Sequence, residues 1–324
     1  MQRCRWLGMV GALVALVVLS PVLAGASPAP QKGLRPLGLI TFTPDASTLA
    51  AQRQGFFAAE GLDVGLTITP NSTTEYQGLA EGQWAIGGGG FDNVLAWSGH
   101  AGSELVGISQ TDNGILLQLF AQPGTTSIED LRGKRLAVDA VDTAFALVLR
   151  KMLLDHGLDF THGDYELIPV GQTSLRLESL IRGDTFAGLL NPPWDENAQA
   201  AGLAFLGDHR DAVPDYAGGV FATNEVWARA HRADVVGFLR AWLAGDRWVQ
   251  ANHEAAIAML QAEQNISRAA AEGRLAGISP DGVLNVPGLQ TTLDLRTEFG
   301  YTLPMGTDLS RYLDDSYWRE AAGR

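Results

Sequence analysis

The sequence predicts a two-lobed α/β protein, each lobe a mainly parallel sheet flanked by helices, with a ligand cleft between the lobes. Three observations predict it. Strand–loop–helix units recur in two successive series. The chain behind its expected leader, roughly 300 residues, reaches the length at which single cores stop growing. Its last third is helical with too few strands for a third sheet, so the returning chain has to complete the first.

The first series opens with the apolar run Leu37-Gly38-Leu39-Ile40 as a strand. Asp45 or Ser47 then caps a helix whose apolar positions, Leu49, Ala50, Phe56 and Phe57, recur at helical spacing, and Gly61 supplies a left-handed residue to end it. Alternation makes 62–68 the second strand. Residues 73–81 read as a helix, 83–87 as a buried strand, 88–93 as a loop into 94–97, 105–108 as a strand, and 115–121 as a strand crossing between lobes. The second series starts with a capped turn at 127–131 and a strand to Val138. Asp142 and Thr143 cap a helix through Leu154 that Gly157 ends, 165–170 is a strand, 175–182 a helix, and 185–190 a buried strand. The loop Asn191-Pro192-Pro193-Trp194-Asp195 opens a helix ending near Gly202, and the chain recrosses at 218–223. Helices are expected at 224–231, 233–252, 257–263, 267–272 and 309–322, with Trp242, Leu243, Trp248 and Val249 as core. The lobes are therefore expected at 34–118 with 218–324, and at 119–217.

Residues 1–26 read as a cleaved export signal. Arg3 and Arg5 precede an apolar run, 6–23, and small residues Ala24-Gly25-Ala26 and a Pro-rich tail follow it. A run of roughly 18 apolar residues is also long enough for a membrane anchor, and an intact Met1 in the exported chain would decide for that alternative. Cys4, the single cysteine, precedes the apolar run and is not placed for lipid attachment. The mature chain then has no cysteine for a disulfide, a thiolate metal site or a nucleophile. The net charge of −13 becomes −15 once Arg3 and Arg5 leave, and Lys134 and Lys151 are the lysines beyond Lys32. Phosphate neutralisation needs clustered cations, so no nucleic acid is expected as a partner. The expectation is a soluble periplasmic monomer.

The run Gly55-Phe56-Phe57-Ala58-Ala59-Glu60-Gly61-Leu62-Asp63-Val64 resembles the opening of periplasmic substrate-binding proteins of ABC transporters, in the branch that handles sulfonates, nitrate, taurine and thiamine-precursor pyrimidines. Residues 127–138 resemble the opening of that family's second lobe. The resemblance implies a type II periplasmic-binding-protein fold, a small-molecule ligand, an inner-membrane ABC permease as partner, and no cofactor.

No catalytic constellation is legible. There is no Gly-x-Ser-x-Gly elbow and no phosphate-binding loop, and Gly87 to Gly90 is followed by Phe91 and Asp92, which breaks a dinucleotide turn. His253-Glu254 begins like a zinc-protease motif, but Ile257 stands where the second histidine belongs. The six histidines are scattered, and no metal site is expected.

Four loops at strand carboxyl ends are the binding candidates. In the first, Phe42-Thr43-Pro44-Asp45 resembles the Trp-Thr-Pro-Asn segment of thiamine-precursor binders, which implies a stacking face at Phe42 and a polar contact at Asp45; Asp45 also reads as a plain helix cap. Thr48 stands where that branch often has histidine. In the second, Gly88 to Gly90 lets backbone approach a ligand beside Phe91, Asp92 and Asn93, with Asp92 as a cap the alternative. In the third, Asp142 and Thr143 begin a helix whose amides can hold an anion unless Asp142 occupies them. In the fourth, Asn191, Trp194, Asp195 and Glu196 resemble a family segment that brings an aromatic and a carboxylate to the cleft.

These loops hold five carboxylates and no basic residue, whereas charge pairing with an anion wants Arg or Lys. The count favours a neutral or cationic solute, a nitrogen-containing aromatic or an amine, over a sulfonate, nitrate or taurine-type anion. An enzyme or a sensor domain on the same scaffold remain the rivals.

Overall fold

The computed structural model describes residues 33–112, 114 and 116–324. The expected export signal, with Cys4 in it, and Ile115 at the start of the expected crossing strand lie outside the described residues. Ten strands form two five-stranded sheets of matching construction. The first holds β1 (Arg35–Thr41), β2 (Leu62–Ile68), β3 (Ile86–Gly90) and β4 (Leu105–Gln110); the second holds β5 (Gln118–Ala121), β6 (Arg135–Val138), β7 (Glu166–Pro169), β8 (Ala187–Leu190) and β9 (Ala204–Asp208); β10 (Gly219–Asn224) returns to the first. The orders are β2-β1-β3-β10-β4 and β7-β6-β8-β5-β9. In each, three parallel strands carry an antiparallel fourth, β10 or β5, which is the strand the chain lays down on arriving from the other lobe.

The two passages between lobes lie side by side. Thr111 N donates to Gly219 O at 2.9 Å, Gln110 Nε2 donates to Gly219 O at 3.2 Å, and Gly219 N donates to Asp112 Oδ2 at 2.7 Å. Gly218 is needed here because a Cβ would stand 1.5 Å from Asp112 Oδ1.

Strand β3 explains its own glycines. On one face the added Cβ of Gly89 would meet the Tyr76 hydroxyl at 2.8 Å and Glu75 Oε1 at 3.0 Å; on the other that of Gly88 would meet Thr41 at 3.2 Å and Phe221 at 3.4 Å. The helix Ser72–Ala80 thus packs directly on backbone, and burial pushes the Glu75 carboxyl well above the usual carboxylate range.

Around the first sheet the apolar faces are covered as the sequence pattern requires. Trp242, Phe238 and Leu239 of the helix Arg232–Ala251 pack with Leu37, Leu39, Ile86 and Phe221 on one side, and Tyr76, Leu79, Phe91, Leu289 and Leu293 form a second cluster on the other. The second sheet closes over Leu119, Leu136, Val138, Leu147, Leu153 and Leu189.

Several elements differ from expectation for physical reasons. The helix expected across 45–60 breaks into Ala46–Arg53 and Phe56–Ala59 because Gly55 adopts φ 74°. The strand Ala204–Asp208 and the helix Val286–Glu298 went unread, the latter because Pro287 and Gly288 stand in its first turn. The final expected helix is a single 3-10 turn, Leu309–Tyr312, followed by Ser316–Ala322. Helix Val286–Glu298 also reaches further than its place in the chain suggests: Leu295 packs in the second lobe's core, with Phe299 and Tyr301 against it.

The helix Ala46–Arg53, which follows the first candidate loop, crosses Arg232–Ala251 at Gly245, where a Cβ would lie 2.1 Å from Ser47 O and 3.0 Å from Ala51 N. Backbone on both sides leaves no room to yield. Gly245→Val is expected to lower the melting temperature by several degrees, for an overpacking cost of about 1–3 kcal/mol, while Gly65→Ala, with nothing within 4 Å, leaves it within a degree or two; differential scanning calorimetry of both variants checks this.

Candidate functional site

A cavity of about 750 Å³ lies between the lobes, walled by loops at the carboxyl ends of strands from both sheets. The first lobe contributes Thr41 at the end of β1 and Phe42 to Asp45 after it, Gly88 to Gly90 at the end of β3 and Asn93 after it, and Thr111 and Asp112 after β4; the second contributes Asp139, Thr143 and Phe145 after β6, Thr173 and Arg176 after β7, and Asn191, Pro192 and Trp194 after β8. Of the residues named from sequence, Phe42, Thr43, Asp45, Gly90, Asn93, Thr143, Asn191 and Trp194 stand on its wall.

The others do not line it. Phe91 is 1% exposed in the core beneath the loop. Asp92, equally buried, pairs with Arg296 at 2.9 Å, and burial pushes its carboxyl up to about 6 in spite of that cation. Asp142 is exposed, and its carbonyl oxygen accepts from Arg296 Nη1 at 2.9 Å. Asp195 Oδ2 accepts from Gln118 Nε2 at 2.6 Å, and Glu196 Oε2 accepts from Ser267 Oγ at 3.0 Å. Neither Asp142 nor Thr143 caps its helix by side chain: the Thr143 hydroxyl turns back to Asp139 and to Ala140 O.

The wall carboxylates are already engaged. Asp45 caps its helix, accepting from Thr48 N at 2.7 Å and Thr48 Oγ1 at 2.9 Å, and it also accepts from Trp242 Nε1 at 3.1 Å. The cap reading of Asp45 thus holds, and its carboxylate also stands on the cavity wall. Burial nevertheless raises its pKa. Asp112 accepts from Gly219 N and Gly114 N, and burial pushes it up to about 6. Asp139 Oδ2 accepts from Ser72 Oγ at 3.2 Å, a bond across the seam between the lobes.

Of the three arginines on the wall, Arg210 pairs with Asp208 at 2.6 Å, and the other two tell the opposite story. Arg176 is 1% exposed, yet its partners are neutral: Nη1 donates to Gly171 O at 2.7 Å, Nη2 to Thr173 Oγ1 at 2.8 Å, Nε to Leu189 O at 3.2 Å, and its guanidinium lies 4.9 Å from the Phe145 ring centre. Burial lowers its pKa to about 10. Arg274, on the first lobe's side, donates to Gln264 Oε1, and burial lowers its pKa as well. Among the described residues no carboxylate lies within ion-pair distance of either.

The balance of charge read from the loops left out Arg176 and Arg274, because they sit on helices. Arg176 shares a helical face with Thr173 and Leu180, at spacings of three and four, and Leu180 is fully buried. That spacing was the available signal. Phe145, His209, Tyr216 and Phe221 add apolar and aromatic wall that nothing in the sequence marked. Among the described residues no three His, Cys, Asp or Glu side chains are grouped to hold a metal ion.

Two outcomes follow. The folded protein holds the Asp112 proton up to about 6 against 3.8 for the free side chain, so its contribution is full below the lower value and is lost as pH rises through about 6; thermal melting should show this contribution falling between about pH 4 and 6, and Asp112→Asn should flatten that part of the profile. Asp92→Ala leaves Arg296 buried and alone, at a cost of about 3–5 kcal/mol, so urea denaturation should show a large loss of stability.

No curated protein matches the chain by sequence. Solved structures do match it in fold. The periplasmic aliphatic sulphonate binding protein SsuA from Escherichia coli superposes with a TM-score of 0.67 at 18% identity, covering 86% of this chain and 92% of that one. The periplasmic nitrate-binding protein NrtA from Synechocystis PCC 6803 gives 0.71 at 15%, covering 91% and 89%. The desulfurization enzyme DSZB gives 0.63 at 17%, covering 89% and 99%. The architecture is thus that of periplasmic binding proteins, and one enzyme shares it. A model of the family described as NMT1/THI5 like matches residues 44–256, well over half of the chain; the chain belongs to that family.

Proposed function

We propose that this protein is an extracytoplasmic solute-binding protein that captures a small organic anion between its lobes and delivers it to an ABC permease, acting as a monomer after export by residues 1–26. The observation that carries the reading is Arg176, a buried guanidinium on the wall of a cavity shared by both lobes, surrounded by neutral acceptors. A buried cation is costly unless paired, and an anionic solute supplies the missing partner. The wall carboxylates Asp45 and Asp112 are engaged by the protein's own donors, and Asp139, although its charge acts on Arg176, lies beyond ion-pair distance of it. Phe42, Phe145 and Trp194 offer faces for an apolar or flat body. The fold shared with sulphonate- and nitrate-binding proteins is consistent with capture rather than turnover.

A second reading has its own support. Membership of the NMT1/THI5-like family and the aromatic walls at Phe42 and Trp194 favour a nitrogen heterocycle such as a thiamine-precursor pyrimidine. The two readings separate on charge.

Thermal-shift measurements with short sulfonates, carboxylates, phosphate esters, nitrate, amines and aminopyrimidines test both. A solute at a hundred times its Kd stabilises by about 2.7 kcal/mol, so the expected result is a rise of several degrees with one of the organic anions. Arg176→Met should weaken that solute at least tenfold, or about 1.4 kcal/mol. A shift with aminopyrimidines that survives Arg176→Met would favour the heterocycle, and no shift with any solute would overturn capture itself.

A further inference from the structure

The helix Arg268–Ala276 occupies an unusual position. Its last turn and the residues after it, Gly273, Arg274, Ala276, Gly277 and Ile278, form part of the cavity wall. Its N-cap, Ser267, belongs to the first lobe's half of the chain but reaches the second: the hydroxyl accepts from Ala270 N at 3.0 Å and donates to Glu196 Oε2 at 3.0 Å, on the helix Trp194–Ala200. One hydroxyl can do both, having one donor and two lone pairs. Beyond the helix, Ile278 pairs with Asp112 where the chain passes between lobes.

The helix is anchored in its own lobe: Arg268 pairs with Glu254 at 2.7 Å, and Ala271 belongs, and Leu275 and Ile278 pack, with a cluster that joins the helix His253–Gln264 to Leu49 and Ala50 of the helix Ala46–Arg53. Its inner face carries Arg274, which donates to Gln264 Oε1; Gln264 in turn donates through Nε2 to Pro44 O at 2.8 Å, in the first candidate loop. Both hydrogen-bonding partners along this line are neutral, so an anion in the cavity gains a cation from this helix that the protein does not neutralise itself.

We propose that the helix Arg268–Ala276 is a ligand-operated latch: Arg274 contacts the bound solute, and the Ser267–Glu196 hydrogen bond then holds the two lobes together. The solute part rests on the anion reading above; the lobe-to-lobe part does not. The bond between Ser267 and Glu196 forms only when the lobes are close, and a solute that favours that arrangement shifts the population towards it by its difference in affinity. The latch then acts on release more than on capture, since differences among variants of one interface fall chiefly on dissociation.

A charge swap tests the latch without depending on the solute. Ser267→Asp keeps a helix cap while setting a carboxylate against Glu196, and adding Glu196→Lys replaces repulsion by attraction. Spin labels on Glu81→Cys and Glu178→Cys, exposed residues of the first and second lobes, in a chain carrying Cys4→Ser, report the distance between lobes by pulsed electron resonance. Ser267→Asp should shift the distance distribution to longer values, and Ser267→Asp with Glu196→Lys should bring it back. An unchanged distribution in the single variant, or no restoration in the double, overturns the latch.

Ethanesulfonate serves as the probe for the solute arm. Its dissociation rate should rise at least fivefold in Ser267→Asp and return in the double variant, and Arg274→Met should weaken it at least fivefold with the distance distribution of the solute-free protein unchanged. Binding of ethanesulfonate that is indifferent to Arg274→Met overturns the contact assigned to Arg274. A wild-type protein that ignores ethanesulfonate counts against the anion reading, and the distance measurements then judge the latch alone.

Discussion

A strand with four consecutive glycines, Gly87 to Gly90, sets the geometry of this molecule. Because Gly87 to Gly90 offer bare backbone on both faces, the helix bearing Glu75 and Tyr76 settles onto one side, its Tyr76 hydroxyl closer to Gly89 than a Cβ would allow, and Thr41 and Phe221 lie close against Gly88 on the other. Thr41 fixes the approach by donating to Gly88 O at 2.7 Å. The result is that the ends of β1, β3 and β10 converge on a small area, and the loops that follow β1 and β3 open on the same cavity as the start of β10. Without that convergence the first lobe would present separate loops rather than a wall.

On this frame the protein distributes charge in two different ways. Its wall carboxylates are structural acceptors first: Asp45 ends a helix and receives an indole N–H, and Asp112 ties the two interlobe passages. Two of its wall guanidiniums, Arg176 and Arg274, have neutral partners, one from each lobe's side of the cavity, while a third, Arg210, pairs with Asp208. A negative overall charge is therefore compatible with a site that is locally short of anions, because net charge speaks to solubility and long-range field, not to which oxygen meets which nitrogen.

Much of the architecture was legible because it rests on local rules. Alternating and apolar runs marked β1, β2, β6 and β8, and Gly61 ends its helical stretch at φ 72° as a left-handed residue should. The core reading of Trp242 and Leu243 was legible too, from spacing alone. What escaped was decided by tertiary context. Only its shared face with Leu180 separates Arg176, buried, from Arg182 six residues later, which pairs with Asp184 in solvent. Asp92 and Phe91 follow the glycine run directly and so look like loop residues, yet the helix begins at Phe91 and turns both inward, where Arg296, 204 residues away, meets the carboxylate. Contacts of that sequence separation leave no periodic trace.

The route of the chain has a kinetic consequence. The second sheet is built entirely from residues between Gln118 and Asp208, so its contacts close within one continuous stretch, whereas the first sheet waits for β10 and its core waits for Trp242, whose bond to Asp45 spans 197 positions. Loop closure over such a span must be met before those contacts reward it. A chain that folds as it emerges, amino end first, would thus complete its later sheet before its earlier one, although Leu295 joins the later lobe's core only afterwards, and would carry β1 to β4 as an unfinished sheet with an open edge until the return strand arrives.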